Sequence, residues 1–343
     1  MSSATKLSRH PSFTRWGHGG TNRLSRSGGS YAAFDLLSLS LAYIMGVARA
    51  AVPYPAILLY QKEDATMTSL DWLELLKVIF LGIVQGITEW LPISSTGHMI
   101  LVDEFLSLHA SAAFMEMFLV VIQFGSILAV VVIYWSKLVP FTLKGGLAVK
   151  KDVLSMWPKI VVGCIPAGIY AVTLDDKLNP IFYNYVTVAI MLVLVGILFI
   201  LIENNNKGRI ASVTDIGGLT YRIVFLIGIF QLIAAIFPGT SRSGATIVGA
   251  LVLGVSRTIA AEFTFFLAVP TMLGASFLKL VKFGFDFSPE ELLWLIVGMA
   301  VAFVVSLFII RFLMNYIRKH DFKVFGWYRI VLGLLVLVIF WLR

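Results

Sequence analysis

The sequence predicts an all-α polytopic membrane protein: an inverted-topology repeat with six transmembrane helices plus two re-entrant helical hairpins. Three observations lead there. The 343-residue chain is 59% apolar and 13% charged, with a mean hydropathy of +0.90. Its apolar residues fall in long continuous runs. Two of those runs break at a proline in matching surroundings, 146 residues apart.

An ordinary soluble domain carries about 25% charged residues, and a globule this apolar could not hide its surface from water. Disorder needs the opposite composition. The runs do not alternate, which argues against a β-barrel. Cys164 stands alone, so neither a disulfide scaffold nor a Cys-based zinc site is available. The net charge of +8 divides evenly, with +4 in residues 1–66 and +4 in 67–343. The cations are scattered between apolar runs, as in cytoplasmic loops, and do not form a nucleic-acid footprint.

Residues 1–30 are rich in Ser and Gly and hold five Lys/Arg with no acid. Leu36–Tyr60 is apolar but interrupted by Arg49, Pro53 and Pro55. It can be read as a signal-like anchor; the reading adopted is that translation starts at Met67 and that 1–66 is an extension outside the working fold. Residues 67–343 then form the membrane-embedded domain, with repeat 1 at about 70–202 and repeat 2 at about 216–343.

Six runs are long enough to span: Phe114–Trp135, Trp157–Leu174, Ile181–Ile202, Ala261–Val281, Leu292–Leu313 and Val324–Leu342. Two others differ. Leu70–Leu91 meets the polar stretch Pro92–His98 and continues only as Met99–Leu108. Ile223–Phe237 meets Pro238–Thr246 and continues as Ile247–Val255. About ten helical residues rise about 15 Å, half the hydrocarbon core. Non-helical backbone at that depth is tolerated only inside protein or beside a water-filled cavity, so both are expected to be re-entrant hairpins.

Gly82–His98 and Gly228–Gly244 align without a gap at the 146-residue offset. Gly82/Gly228, Ile83/Ile229, Gln85/Gln231, Ile87/Ile233, Pro92/Pro238 and Ser95/Ser241 are identical, and the same offset pairs Glu116 with Glu262. Each half holds one hairpin and three spans. Three is odd, so the second half must be inverted. This topology gathers Lys137, Lys150, Lys151, Lys207, Arg209, Arg222, Arg311, Arg318 and Lys319 on one, cytoplasmic, side. The hairpin tips then meet near the midplane.

Polar residues at membrane depth are functional candidates by default. Here they are Gln85, Glu89, Ser95, His98 and Arg242. Ser94, Ser95 and Thr96 open one short helix; Thr240, Ser241 and Ser243 open the other. Helix N-termini carry free N–H groups and partial positive charge, so they bind anions. Arg242 adds a fork suited to phosphate oxygens. Ser95 or His98 could attack phosphorus while the other moves protons. Glu89 would repel phosphate unless a divalent cation, Mg²⁺ or Ca²⁺, bridges them, with Gln85 as a weak second ligand. Each residue also has a structural alternative. The Ser/Thr residues can be plain caps, Glu89 can brace Arg242, and His98 can be packing. Gln85 and Gln231 can tie the hairpins together. Glu116 and Glu262 are expected to bond backbone at the hairpin loops.

At these residues the chain resembles the undecaprenyl-pyrophosphate phosphatases of the bacitracin-resistance type. The first motif of that family, (E/Q)xxxE followed by PxSSTGH, reads here Gln85-Gly-Ile-Thr-Glu89 and Pro92-Ile-Ser-Ser-Thr-Gly-His98. The second, PGxSRSxxT, reads Pro238-Gly-Thr-Ser-Arg-Ser-Gly-Ala-Thr246. The resemblance covers about residues 67–343. It implies hydrolysis of undecaprenyl pyrophosphate to the monophosphate, which recycles the carrier for cell-wall synthesis and confers bacitracin resistance. It also implies a bacterial plasma membrane and a site open to the outer face. Gly97, Gly239 and Thr246 join Ser94, Thr96, Thr240, Ser241 and Ser243 as implied substrate contacts. Many members carry Glu where this chain has Gln85, so the metal is expected to be held weakly here. The expected partners are a polyprenyl pyrophosphate lipid and the membrane, with no nucleic acid; a homo-oligomer is compatible. The rival reading is an inverted-repeat transporter or flippase for an anionic lipid or solute.

Overall fold

The computed structural model describes residues 71–142 and 148–342. The N-terminal extension, residues 1–66, lies outside the described residues. The described elements are helical apart from an isolated bridge and a two-residue antiparallel ribbon, β1 (Phe141–Thr142) with β2 (Ala148–Val149).

The first half runs α1 (Trp72–Thr88), α2 (Ser95–Phe105), α3 (Ala112–Ile133), α4 (Trp135–Leu138), α5 (Lys151–Thr173), α6 (Asp175–Phe182) and α7 (Tyr185–Asn205). The second half runs α8 (Tyr221–Ile236), α9 (Arg242–Val252), α10 (Arg257–Phe283), α11 (Pro289–Ile317) and α12 (Lys323–Trp341). Six helices are long and apolar enough to cross a membrane: α3, α5, α7, α10, α11 and α12. They correspond to the six expected spans, and the protein is a multi-pass membrane protein.

Local signals set the boundaries. Asp71 caps α1 by accepting from the N–H groups of Leu73 and Glu74, and Ser111 caps α3 through Phe114. Ser288 and Glu291 form a reciprocal capping box on α11, which has Pro289 in its first turn. The run Ile181–Ile202 proves to be two elements. Asn184 accepts from Thr187 N–H and starts α7, leaving Ile181 in the short polar helix α6.

The two halves interlock rather than lying side by side. The opening helix α1 packs on α11, the fourth helix of the other half, and α8 packs on α5 in the same way. The equivalent helices α3 and α10 pair with each other, as do α7 and α12. The repeated glycines now have a reason. A Cβ on Gly82 would lie 2.9 Å from the Gly298 carbonyl of α11, and one on Gly228 2.5 Å from the Gly163 carbonyl of α5. Helices approach this closely only where small residues meet. Along α7 and α12, Gly196 and Gly326 play the same part, each facing the other's carbonyl.

Glu116 and Glu262 do not bond backbone as expected. They form mirrored ion pairs across α3 and α10: Glu116 with Lys279, and Glu262 with Lys137 just beyond α3. Each long helix ends within reach of the partner's first turns, so a basic residue there meets an acid.

Candidate functional site

Both hairpins break in the same way. Pro92 and Pro238 end the approach, since proline disfavours helix in the preceding residue and removes a donor. The short helices α2 and α9 then start at Ser94 and Ser241, which accept from the N–H of Gly97 (3.3 Å) and Gly244 (3.2 Å). Ser94 and Ser241 are the two non-glycine residues with positive φ among the described residues, at 74° and 68°. Such backbone costs about 1–3 kcal/mol per residue and persists only where the surroundings impose it. The caps correct the ungapped alignment. Structurally Ser94 matches Ser241, an offset of 147, so the second break holds one more residue after its proline. Gly239, at φ +89°, takes up that extra residue, and a Cβ there would strike the Val188 backbone of α7.

The tips meet on Glu89. Its side chain, 7% exposed, accepts from Arg242 Nη2 on Oε1 at 2.9 Å. On Oε2 it accepts from Gln85 Nε2 at 2.9 Å and from Ser95 Oγ at 3.2 Å. Its backbone carbonyl accepts from Ser243 Oγ at 3.2 Å. One carboxylate thus joins the approach helix, the start of α2 and the start of α9. The other arm of Arg242 donates to the Thr264 carbonyl of α10 at 3.3 Å.

A cavity of about 210 Å³ opens beside this group, lined by Glu89, Ser95, Thr96, Gly239, Ser241 and Arg242. Gln123 of α3 and Thr271, Met272 and Ala275 of α10 close its other wall. The remaining candidates stand behind it. Gln85 is buried against Glu89 in its own hairpin, so it does not tie the two hairpins together. Gln231, its repeat partner, finds no hydrogen bond among the described residues, because Ala235 stands where Glu89 would be. Ser94, Thr240 and Ser243 are buried, and so is Gly97 against Leu192. Thr246 is sealed by bonds to the Arg242 and Ser243 carbonyls and to Thr264 Oγ1, away from the cavity.

His98 is fully engaged. Its Nδ1 lies 2.7 Å from the Ser94 carbonyl and must donate, which leaves Nε2, in the neutral ring, to accept from the Tyr328 hydroxyl at 2.7 Å. The two rings lie nearly parallel, at 6°. Tyr328 and its neighbour Arg329 on α12 are the site's unforeseen members. Arg329 is wholly buried and donates to the carbonyls of Pro92, Gly239 and Thr240. A lone arginine inside the apolar run Val324–Leu342 was the available signal.

Fold and site define a class: integral membrane proteins that keep a polar, charge-paired cavity where two mirrored helical breaks meet. Residues 78–335 match the family described as "Bacitracin resistance protein BacA", and the chain belongs to that family. It is 66% identical over 267 residues to a protein of Desulfitobacterium hafniense named "Undecaprenyl-diphosphatase", covering 78% of this chain and 96% of the relative. It is 63% identical over 271 residues to "Undecaprenyl-diphosphatase 1" of Clostridium acetobutylicum, covering 79% and 99%. An "Undecaprenyl-diphosphatase" of Enterococcus faecalis is 62% identical over 273 residues, again covering 79% and 99%.

Proposed function

We propose that this protein is an undecaprenyl-diphosphatase of the bacterial plasma membrane, releasing phosphate from undecaprenyl pyrophosphate and returning the monophosphate carrier to cell-wall synthesis. Loss of the free pyrophosphate lipid is also the basis of the bacitracin resistance. The observation that carries the reading is the convergence of Glu89, Ser95 and Arg242, from two hairpins, on one cavity under two helix N-termini. High identity to the named relatives over nearly their whole length supports the same activity.

In this mechanism the pyrophosphate enters between the α2 and α9 N-termini, whose free N–H groups and dipoles favour negative charge. Ser95 Oγ gives its proton to Glu89 Oε2, the group it already bonds, and attacks the terminal phosphorus. The new Oγ–P bond forms as the P–O bond of the anhydride breaks, and undecaprenyl phosphate leaves. Glu89 passes that proton to the departing undecaprenyl phosphate; as a carboxylate again it deprotonates water, which attacks the phosphoserine, and the proton returns to Ser95 Oγ as its bond to phosphorus breaks and phosphate leaves. Arg242 stabilises charge on the equatorial oxygens. His98 holds the Ser94 carbonyl and so the mouth of α2, with its nitrogens engaged away from phosphorus.

A divalent cation fits this donor set as a guest of the substrate. Among the described residues no three His, Cys, Asp or Glu side chains cluster as a dedicated cage. One carboxylate, Glu89, with the Ser95 hydroxyl beside it, would suit an ion such as Mg²⁺ that takes its other ligands from phosphates, while Gln85 stands behind with its amide nitrogen on Glu89. Bound there, the ion supplies charge neutralisation between Glu89 and the pyrophosphate.

The hairpins are re-entrant in this reading, the first from outside and the second from inside, and both ends of residues 67–343 face out. Residues 1–66 are an extension outside the working fold in this reading, and the family match begins beyond them, at residue 78. The test is phosphate release from a prenyl pyrophosphate by purified protein in detergent with Mg²⁺ or Ca²⁺, abolished by chelator. No release under any of these conditions would leave the inverted repeat as a transporter.

A further inference from the structure

Arg329 sits in mid-helix on α12 with no exposed surface. Its hydrogen bonds all run to backbone carbonyls: Nη1 to Pro92 at 3.2 Å, and Nη2 to Gly239 at 2.8 Å, Thr240 at 2.8 Å and Met191 at 3.4 Å. Pro92 belongs to the first break, Gly239 and Thr240 to the second, and Met191 to α7. One guanidinium therefore joins both breaks to the α7–α12 pair that supports them.

Two consequences follow from elementary geometry and charge. A trans peptide points its N–H opposite to its C=O. With the Thr240 carbonyl anchored on Arg329, the N–H of Ser241 is turned away from Arg329, on the side where Ser241 lines the cavity. Charge is the second. Glu89 and Arg242 neutralise each other at 2.9 Å, whereas among the described residues no carboxylate pairs with Arg329. One positive charge stays unbalanced, a single peptide behind the cavity wall at Gly239. An isolated buried charge is costly, and that cost falls when an anion occupies the neighbouring space.

We propose that Arg329 is a positioning residue of the phosphatase site: it aims the Ser241 N–H into the cavity and supplies the surplus positive charge that a bound pyrophosphate balances. The proposal rests on the phosphatase reading above. It assigns to α12, the last helix, a part in anion binding that neither hairpin motif contains.

The test uses the full chain in detergent, with two variants and two readouts. Inorganic pyrophosphate with Mg²⁺ is the binding probe, read as a shift in melting temperature and as competitive inhibition; KM and kcat are measured with a prenyl pyrophosphate. Arg329→Gln keeps donors for the carbonyls but removes the charge, and it should weaken pyrophosphate binding and raise KM by about tenfold, the scale of losing one charge-assisted contact. Arg329→Lys keeps the charge but cannot span four carbonyls. It should hold pyrophosphate affinity within about threefold of wild type while kcat falls about tenfold. Folded Arg329→Gln with wild-type pyrophosphate affinity would overturn the proposal and leave Arg329 a neutral cross-link. Where the Gln variant does not fold, the Lys variant decides: retained affinity supports the charge account, and lost affinity despite retained charge refutes it. Wild-type protein that neither binds pyrophosphate nor releases phosphate fails differently, overturning the phosphatase reading and this proposal with it.

Discussion

The two hairpins share a backbone and divide the chemistry. Both end an approach helix before a proline, force a serine into positive φ, and use its hydroxyl to cap the first turn. Only the first carries a carboxylate at the cavity, Glu89, with the Ser95 hydroxyl bonded to it; only the second carries the cation, Arg242. The difference shows in the glutamines. Gln85 has Glu89 one turn away to bond, while Gln231 has Ala235 and stays unpaired among the described residues. What the repeat shares is the capped, positive-φ backbone of the break. What diverged is the charge, and opposite charges let the two tips lock together at Glu89–Arg242.

The largest effect should come from breaking that division at its acid. Glu89→Gln removes the negative charge and leaves a single amide oxygen where two carboxylate oxygens served Ser95, Gln85 and Arg242. It should cut kcat about a thousandfold, without rescue by extra metal, and cost about 3 kcal/mol of stability by leaving the Arg242 charge uncompensated. Gln85→Glu should be tolerated and should tighten the dependence on metal. Unchanged phosphate release by Glu89→Gln would reduce Glu89 to a brace for Arg242.

Ser95→Ala should come next, with turnover lost by at least about a hundredfold while binding of the pyrophosphate lipid persists. His98→Ala should lose about tenfold, through a loosened Ser94 carbonyl. A phosphohistidine trapped on rapid quench would exchange the two roles. On the second hairpin, Arg242→Lys keeps the charge but loses the fork and should lower kcat about a hundredfold; near wild-type rates would leave that hairpin a scaffold only.

The smallest effects test the shared part. Ser94→Ala and Ser241→Ala should each cost about 1 kcal/mol in denaturant unfolding, since each removes one cap. Unequal losses would mean that the two breaks no longer do the same work. Topology can be read separately: cysteines at Ser107 and Asp175 should label from outside intact cells, and one at Lys150 should not.

Much of this was legible in the sequence because the signals are local or repeated. The six spans follow from unbroken apolar runs, and the hairpins from Pro92 and Pro238 followed by Ser, Thr and Gly. Glu89, Ser95 and Arg242 stood out as polar groups at membrane depth. The one-residue shift at the caps was not legible, because identical prolines and serines aligned better without a gap than the structure does. Tyr328 and Arg329 were not legible for another reason. They lie far along the chain from the motifs they support, and Arg329 bonds only carbonyls, which leave no pattern in the side chains. Gln123 and Thr271 line the cavity from helices whose apolar character hid them.

The exchange of packing between halves bears on how the chain is made. The wall against which α1 rests is α11, whose residues begin two hundred positions later at Pro289. While the ribosome is still translating the second half, the first hairpin lacks α11 and α12, and Glu89 has no Arg242. The first half therefore completes its packing only when the second half emerges. A ribosome that stops after α7 releases a product with the acid and the hydroxyl but no site. Expressed as two separate pieces, the halves should regain activity only when made together in one membrane, each serving as the other's template.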